Sequence, residues 1–395
     1  MSYNSRMQRV VILLLLALST LTGVGCGQQN SAKPTASYST EKDGVKFRVE
    51  TVASGLEVPW GFAWLPNGDM LFTERKGRVR IIEKGSLRKD PVFTVPDVEP
   101  TGESGLMDIT LHPNFAQNNY IYLAYSYNKD GKQVKVVRYT YKDGKFTEDK
   151  TIVDHVPGTA LHSGMRCRFG PDGKLYVTTG DSTDWNLAQQ TDSLAGKTLR
   201  LNDDGSIPSD NPFVGNKAFR PEIWTYGNRN SQGIAWQPGT GLLFETEHGP
   251  SAFEGKGVGG DEVNILESGK NYGWPVIHHT MTQEGMVAPL LEYTPACAPG
   301  SAMFYGGTQF PGFGGNFFFG CLVGKRIIRV VLDGRKVVSQ ENLLEGVYGR
   351  IREMEQGPDG YIYFSTSNRD GRGSPAADDD RIMRLVPVEV KKTSE

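Results

Sequence analysis

The sequence repeats one unit six times, and this repetition limits the folds that the chain can adopt. Each unit has an apolar strand start, a turn around a proline with Asp, Asn or Gly, and then an alternating strand. The copies are GFAWLPNGDMLFTE (61–74), DITLHPNFAQNNYIYLAYS (108–126), CRFGPDGKLYVTTGD (167–181), IAWQPGTGLLFETEHG (234–249), TQFPGFGGNFFFG (308–320) and EMEQGPDGYIYFSTS (353–367). One unit cannot bury both faces of its sheet, whereas a closed ring of units can.

The spacing of the repeats predicts an all-β, six-bladed β-propeller of four-stranded antiparallel blades. The turn prolines lie 47, 58, 67, 73 and 47 residues apart, which leaves room for four short strands and variable loops. The 48 glycines and 22 prolines also favour short strands over long helices. We therefore expect one propeller domain over residues 44–388. A tandem of two smaller β domains is the alternative.

The N-terminal residues 1–26 have the order of a secretory signal, since basic residues precede an apolar run and small residues lead to Cys26. The segment before Cys26 also resembles a bacterial lipoprotein site, in which that cysteine carries the lipid. We expect an exported protein, periplasmic or at the cell envelope, that meets the membrane only through a lipid anchor at Cys26; a soluble exported protein is the alternative. Residues 27–43 are predicted to be a flexible tether, and residues 389–395 a C-terminal tail.

Charge and cysteine content exclude several classes of protein. The chain has 43 Lys and Arg against 45 Asp and Glu, a net charge of −2, whereas nucleic-acid-binding proteins usually carry a basic excess. Besides Cys26 there are only Cys167, Cys297 and Cys321, so at most one disulfide forms among them. No Cys/His spacing typical of structural zinc is present.

Polar residues where loops enter the repeats are the candidates for a site at one mouth of the propeller. His162 opens the third repeat, although a hydrogen-bonded structural histidine is the plainer interpretation. Arg229 opens the fourth repeat, and Arg350 and Arg352 open the sixth at strand spacing, on one face. If the three arginines meet, they form a site for a small polyanion, because guanidinium groups match carboxylates and phosphates. Solvated surface arginines are the alternative.

A second candidate segment is suited to a hard cation. Glu247-His248-Gly249-Pro250, with Asp261 and Glu262 downstream, offers carbonyl and carboxylate oxygens of the kind that Ca²⁺ prefers. The segment has no EF-hand pattern.

Taken together, six segments carry a family resemblance. HSGMRCRFGPDGKLYVTTGD, LAGKTLRLNDDGSIPSDNPF, YGNRNSQGIAW, EHGP, DEVNILESGKNYGWP and GRIREMEQGPDGYIYF resemble the soluble PQQ-dependent aldose sugar dehydrogenases of the glucose/sorbosone dehydrogenase family. The likeness covers nearly all of residues 50–388, in order. It implies a six-bladed propeller that holds pyrroloquinoline quinone (PQQ) and Ca²⁺ at one mouth.

The resemblance also implies roles for the candidate residues. His162 matches the family's catalytic base. Arg229 and Asn230 match the pair beside the quinone, with Arg229 taking part in catalysis. Arg350 and Arg352 match the arginines that bind the carboxylates of the quinone.

Further matches concern metal and substrate. The carbonyls of Gly249 and Pro250 match ligands of the active-site Ca²⁺. Glu262 and the carbonyl of Tyr272 match part of a second, structural calcium site. Glu103 falls where the family places a polar residue near the substrate.

The reaction implied is oxidation of the C1 hydroxyl of an aldose to a lactone. His162 takes the hydroxyl proton as hydride leaves C1 for the quinone, Ca²⁺ and Arg229 stabilise the charge that develops, and an external acceptor receives the electrons. One departure concerns a lysine that the family places against the cofactor. This chain has Val323 there, with Lys325 two residues further on, which would keep the same face on a strand.

Two other functions remain open, because a fold hosts many activities. One is a non-catalytic sugar-binding or interaction propeller at the cell envelope. The other is a calcium-dependent lactone hydrolase, which would need several side-chain carboxylates or amides converging on a central metal.

Overall fold

The computed structural model describes residues 36–388, and the predicted signal, the lipidation site Cys26 and the tail 389–395 lie outside the described residues. The described chain folds into six antiparallel sheets. Helical structure within it is limited to one short α-helix, α1 (Phe115–Asn118), and three single-turn 3₁₀ segments. The predicted all-β, six-bladed propeller is confirmed. No helix in this part of the chain is long and apolar enough to cross a membrane.

The strands follow the repeats in chain order. First come β1 (Ser37–Ser39) and β2 (Lys46–Ala53). Blade 1 holds β3 (Pro59–Trp64), β4 (Met70–Glu74), β5 (Arg78–Glu83), β6 (Ser86–Leu87) and β7 (Phe93–Thr94). Blade 2 holds β8 (Leu106–Leu111), β9 (Tyr120–Asn128), β10 (Lys132–Lys142) and β11 (Lys145–Pro157). Blade 3 holds β12 (Gly164–Phe169), β13 (Leu175–Thr179), β14 (Lys197–Leu201) and β15 (Ile223–Tyr226).

The second half of the chain continues the pattern. Blade 4 holds β16 (Ser231–Trp236), β17 (Leu243–Glu247), β18 (Asp261–Leu266) and β19 (Leu291–Tyr293). Blade 5 holds β20 (Pro299–Phe304), β21 (Phe317–Cys321), β22 (Arg326–Asp333) and β23 (Lys336–Leu343). Blade 6 holds β24 (Ile351–Gln356), β25 (Ile362–Thr366) and β26 (Ile382–Pro387), and β2 and β1 complete its outer edge.

Each sequence repeat covers the first two strands of a blade and the turn between them. In Pro171-Asp172-Gly173 the turn needs a left-handed residue, and Gly173 supplies it with φ +72°. The second strand of the blade is buried along its whole length in blades 1, 3, 4, 5 and 6. These strands are covered on both faces, so their side chains are buried at every position rather than at every second one, as simple alternation would give.

The N-terminal strands close the ring. Strand β2 pairs antiparallel with β26, with Phe47 opposite Pro387, and β1 pairs with β2. Asp43 forms an ion pair with the buried Arg329 of blade 5 at 2.7 Å. The predicted boundary at residue 44 is therefore wrong, because residues 37–43 belong to the propeller rather than to a flexible tether. This arrangement covers an edge that would otherwise stay unpaired.

The hydrophobic core is divided among the interfaces between blades. Leu71, Ile109 and Leu123 pack between blades 1 and 2, and corresponding clusters fill the other interfaces of the described ring. Burial between blades is the main favourable contribution to the fold. It fixes the angle of each blade and so the position of the loops at the mouth.

Charged side chains of the first strands fill the centre of the ring. Nη1 of the buried Arg166 lies 3.0 Å from Asp108 and 2.8 Å from Glu353. The guanidinium carbon of Arg166 lies 4.7 Å from the ring centroid of Trp60. Strands β3, β8, β12 and β24 are thereby tied together at the axis.

Candidate active site

The site is built from the same two positions of successive blades. One position lies just before the first strand, and it holds Glu103, His162, Arg229 and Arg350 in blades 2, 3, 4 and 6. The other lies just after the second strand. In an antiparallel pair these two positions are neighbours at one edge of the sheet, so all of these residues face the same mouth of the propeller.

Several residues at the second position were not singled out from the sequence. Arg75, Asp181 and Asp370 follow β4, β13 and β25. The signal that could have found them is their place in the loop that follows the second strand of a repeat, one to four residues beyond its end. Arg75 and Asp370 line the cavity, and Asp181 supports it from behind.

A cavity of about 530 Å³ lies at this mouth, and it brings most of the predicted site residues together. Those on its wall are His162, Arg229, Arg350, Arg352, Glu103, Gly249 and Pro250. A volume of this size suits a small molecule.

His162 is held by a buried carboxylate. Its Nδ1 lies 2.8 Å from Oδ1 of Asp181, and both residues are buried. Trp274 donates from Nε1 to Oδ2 of the same carboxylate at 2.8 Å, and the backbone N–H of Thr183 donates to Oδ1. A carboxylate accepts only, so the His162 ring carries its proton on Nδ1. That tautomer leaves Nε2 as an acceptor, and no hydrogen-bond partner for it lies within residues 36–388.

The backbone around His162 explains why the ring reaches the cavity. His162 has φ +53°, a left-handed conformation that a β-strand does not use. Gly180, just before Asp181, passes so close that a Cβ there would collide with the carbonyl oxygen of His162. The close approach of the two loops thus needs glycine at position 180.

Arg229 is anchored by a loop that the sequence did not implicate. Its Nε and Nη2 pair with the two carboxylate oxygens of Glu254 at 2.8 and 2.7 Å, Nη2 also donates to Ser251, and Nη1 donates to the carbonyl of His248. Four of the five guanidinium N–H groups are used, so one N–H on Nη1 is left for a ligand. Glu254 also lies close to the histidine: one of its oxygens, an oxygen of Asp181 and a ring nitrogen of His162 are all within 4.8 Å of one another.

Arg350 and Arg352 share one counter-ion. Asp370 lies 2.8 Å from Nη2 of Arg350 and 3.6 Å from Nη2 of Arg352. Burial, together with the charges of Arg350 and Arg75, lowers the pKa of Arg352 to about 10 against the opposing pull of Asp370. Removing cations from water without full pairing is costly. The cavity therefore favours an anion that supplies the missing negative charge.

Glu103 faces the cavity from the other side. Burial would raise the pKa of its carboxyl, but the charges of His248, Arg372 and His162 outweigh that effect and lower it to about 2. Its Oε1 pairs with Arg372, and its Oε2 accepts from the backbone N–H of His162 at 3.3 Å. The ionised carboxylate thus lies beside the histidine on the cavity wall.

The segment proposed for calcium lies on the cavity wall. The N–H of Gly249 donates to Oδ1 of Asp261 at 2.8 Å, which directs the backbone here. A side chain at Gly249 would collide with the backbone of residues 259 and 260. The carbonyl of Pro250 accepts from Gly259 at 3.3 Å and has a second lone pair for a cation.

Some predicted residues do not reach the cavity. The side chain of Asn230, predicted beside the cofactor, is fully buried and is not on the cavity wall. Its Oδ1 accepts from Gly164 N and Gln232, and its Nδ2 lies 3.5 Å from Nδ1 of His248, which is on the wall. Lys325 lies in an exposed turn after β21 with φ +50°, so the strand alternation assumed for it does not apply and Val323 lines the wall instead. Asn230 is enclosed just before the first strand of blade 4, and Lys325 lies in a turn rather than in a strand.

Glu262 belongs to a separate buried cluster of carboxylates with Glu245 and Glu247. Asn228 donates to Glu245 and Glu247 at 3.1 and 2.9 Å, and Asn264 donates to Glu262 at 3.0 Å. Burial raises the pKa of all three carboxyls, that of Glu247 to about 7.

The cluster offers oxygen atoms as candidate ligands for a divalent cation. Within the described residues, the buried Oδ1 of Asn264 has no hydrogen-bond partner. Carboxylate and amide oxygens are the ligands that Ca²⁺ prefers. The sequence also predicts Tyr272 at a calcium site, through its carbonyl. The phenol of Tyr272 donates to the carbonyl of Ile265 at 2.7 Å, so the Tyr272 carbonyl is the candidate ligand.

The fold and the site together define a six-bladed propeller whose mouth offers an oriented histidine and an arginine-rich pocket for a small anion. Comparison with known proteins gives the family. The profile described as Glucose / Sorbosone dehydrogenase matches residues 56–383, and the chain belongs to that family.

Individual relatives agree with this assignment. The aldose sugar dehydrogenase YliI of Escherichia coli (strain K12) is 37% identical over 343 residues, covering 82% of this chain and 91% of the relative. The PQQ-bound aldose sugar dehydrogenase of Streptomyces coelicolor is 33% identical with a TM-score of 0.76, covering 87% of this chain and 98% of that structure. The apo-form of the soluble aldose sugar dehydrogenase of E. coli gives 34% and 0.78, with coverage of 87% and 100%.

Proposed function

We propose that the protein is a PQQ- and calcium-dependent aldose sugar dehydrogenase. The PQQ-bound relative and the family assignment support a quinone-dependent sugar dehydrogenase. The single observation that carries the proposal on this chain's own residues is the pair Arg350 and Arg352, two buried cations that share one carboxylate on the cavity wall. PQQ is a small polycarboxylate, so it meets the need for negative charge there.

The residues present fit both groups of the proposed holoenzyme. Arg350 and Arg352 would hold the carboxylates of the quinone, and the carbonyls of Gly249 and Pro250 would hold the active-site Ca²⁺. When bound, the quinone supplies an electrophilic carbonyl that accepts hydride, and Ca²⁺ supplies positive charge beside it. Arg229 keeps one N–H for the charge that develops there, while Glu254 and Ser251 fix its orientation.

His162 acts as the general base in this proposal. Its unpartnered Nε2 takes the proton from the anomeric hydroxyl of the sugar as the C1–H bond breaks. Asp181 keeps Nδ1 protonated and stabilises the imidazolium that forms, at the 2.8 Å separation of the pair. Glu103 accepts hydrogen bonds from sugar hydroxyls, since its low pKa keeps it ionised. The product is a lactone, and an external acceptor removes the electrons.

A second calcium ion is proposed at the carboxylate cluster. Glu262 is a ligand there, with the carbonyl of Tyr272, and the charge of the ion relieves the repulsion that Glu245 and Glu247 impose. This ion stabilises blade 4 and takes no part in the reaction.

The cellular setting stays a prediction from the sequence. Export to the periplasm or cell envelope and a lipid anchor at Cys26 are predicted from residues that lie outside the described part of the chain. We expect no nucleic-acid partner. Of the other functions, a lactone hydrolase would need carboxylates free to hold a central metal, whereas Arg166 already occupies Asp108 and Glu353 at the centre of the described ring. The experiments below distinguish the proposed enzyme from a non-catalytic binding propeller.

The proposal is tested by titrating the metal-free protein with PQQ in the presence of Ca²⁺ and following tryptophan fluorescence. Arg352→Ala should weaken binding by about tenfold or more, since a charge-assisted pair contributes about 1.5–3 kcal/mol. Arg384→Ala is the matched control, because Arg384 lies in the same blade and pairs with Glu50 away from the cavity. Equal affinities in wild type and Arg352→Ala would overturn the anion-site assignment.

A further inference from the structure

Two of the three described cysteines lie together. Cys297 and Cys321 belong to one core cluster between blades 4 and 5, whereas Cys167 belongs to the cluster between blades 2 and 3. Cys321 ends strand β21, and its register partner in β20 is Pro299, two residues after Cys297. All three side chains are fully buried.

The backbone brings the two cysteines into contact distance. The N–H groups of Val323 and Gly324 both donate to the carbonyl of Cys297, at 3.0 and 2.9 Å. A Cβ placed on Gly324 would lie 3.3 Å from Cβ of Cys297 and 3.2 Å from Cβ of Cys321. The thiol of Cys321 is also the largest cause that raises the pKa of Cys297. The two thiols are therefore neighbours in a dry part of the core.

We propose that Cys297 and Cys321 are a disulfide site that fixes one wall of the cavity. The two thiols lose two protons and two electrons and form one S–S bond, while a disulfide oxidant such as oxidised glutathione is reduced to two thiols. Cys167 stays a thiol, because its neighbours in the structure include no other cysteine. The three cysteines of the described residues cannot all pair with one another, and the structure identifies Cys167 as the one left over.

The bond forms while the chain folds. Burial raises the pKa of Cys297, and the thiolate is the form that attacks a disulfide, so the closed core reacts slowly. Before the core closes, both thiols are exposed to the oxidant. Once formed, the bond is shielded from reductants by the same packing.

The disulfide joins the two segments that make this wall. Ala296 and Ala298 flank Cys297, Leu322 and Val323 follow Cys321, and all four line the cavity. The bond closes the loop 297–321 and restricts the unfolded chain, which stabilises the folded state. It does so with or without a cofactor, so its failure would leave the proposed reaction untouched.

The test is to refold the urea-unfolded chain, with Cys26 replaced by Ser, in a buffer of reduced and oxidised glutathione. Remaining thiols are then blocked under denaturing conditions and the protein is analysed by mass spectrometry and peptide mapping. We expect one blocked thiol, at Cys167, and one peptide cross-linked between Cys297 and Cys321. The oxidised protein should melt a few degrees above the reduced one.

Matched alanine variants separate pairing from packing. Cys297→Ala and Cys321→Ala should each show two blocked thiols and lose the difference in melting temperature between oxidising and reducing conditions. Cys167→Ala removes a thiol that is equally buried and should keep the cross-link and that difference. Three blocked thiols in the refolded protein, or a cross-link that includes Cys167, would overturn the proposal.

Discussion

Replacing Asp181 by Asn removes the charge that orients His162 while changing almost no volume. The carboxylate accepts from Nδ1 of His162 through Oδ1 and from Nε1 of Trp274 through Oδ2, both at 2.8 Å. An amide has only one oxygen to offer these two donors. If the NH₂ of the new amide faces Trp274, it meets the indole N–H, and two donors oppose each other. If the NH₂ faces His162, Nδ1 of that ring must become an acceptor, and its proton moves to Nε2. The second arrangement removes the base.

The expected loss is about 10²- to 10⁴-fold in kcat, the usual contribution of general base catalysis. This corresponds to about 2.7–5.4 kcal/mol in the activation free energy. The affinity for PQQ should change little, because Asp181 is not on the cavity wall. A variant with His162→Gln and Asp181→Asn together should be no slower than His162→Gln alone, since both changes disable one unit.

The assay is reduction of an artificial electron acceptor by the reconstituted protein under saturating aldose, with PQQ binding measured in parallel. Ser182→Ala is a suitable control, because the hydroxyl of Ser182 bonds the carbonyl of Pro157, whereas its bond to the carbonyl of His162 comes from the backbone N–H, which alanine keeps. If Asp181→Asn kept kcat within about threefold of wild type, the orientation of His162 by Asp181 would be refuted as a catalytic feature.

Two further predictions concern stability. Glu254→Ala leaves the buried Arg229 without its carboxylate and should lower the free energy of unfolding, measured in urea, by about 3–5 kcal/mol. The control Glu345→Ala removes an exposed partner of Arg326 and should lower it by less than about 1 kcal/mol. Equal losses in the two variants would contradict the role given to Glu254. Calcium at about 100 times its dissociation constant should stabilise the PQQ-free protein by about 2.7 kcal/mol, and Glu262→Gln should remove most of the resulting rise in melting temperature. An unchanged rise in that variant would place the ion elsewhere.

The fold was predictable because its unit is short and repeated. Six proline turns with alternating strands specify six blades, and the first position of each repeat located His162, Arg229 and Arg350 at one mouth. These are local features, and strand periodicity carries them. The part of the N-terminal strands in blade 6 was not predicted, because the pairing of β2 with β26 joins residues far apart in sequence, Arg48 to Val386 among them. No local pattern marks that contact.

The supporting residues of the site were less visible. Asp181 stood in the quoted repeat TTGD, but nothing in one repeat shows which neighbour its carboxylate will meet. Glu254 lies in an insertion whose course depends on the short 3₁₀ segment Ala252–Glu254 and on the charge of Arg229. Lys325 was placed by strand alternation, which fails once the chain enters a turn at Leu322. Long-range charge pairing and irregular loops thus limited what the sequence could predict.

The central claim is that this cavity oxidises aldoses at C1 with PQQ and Ca²⁺. The most direct measurement is acceptor reduction by the purified protein with glucose and with glucose deuterated at C1, with PQQ and Ca²⁺ added together, singly or with chelator. Turnover is expected only when both are present, with a slower rate for the deuterated sugar when chemistry limits the rate and with a lactone as product. Tight binding of sugar without turnover under any condition would contradict it and indicate a binding propeller.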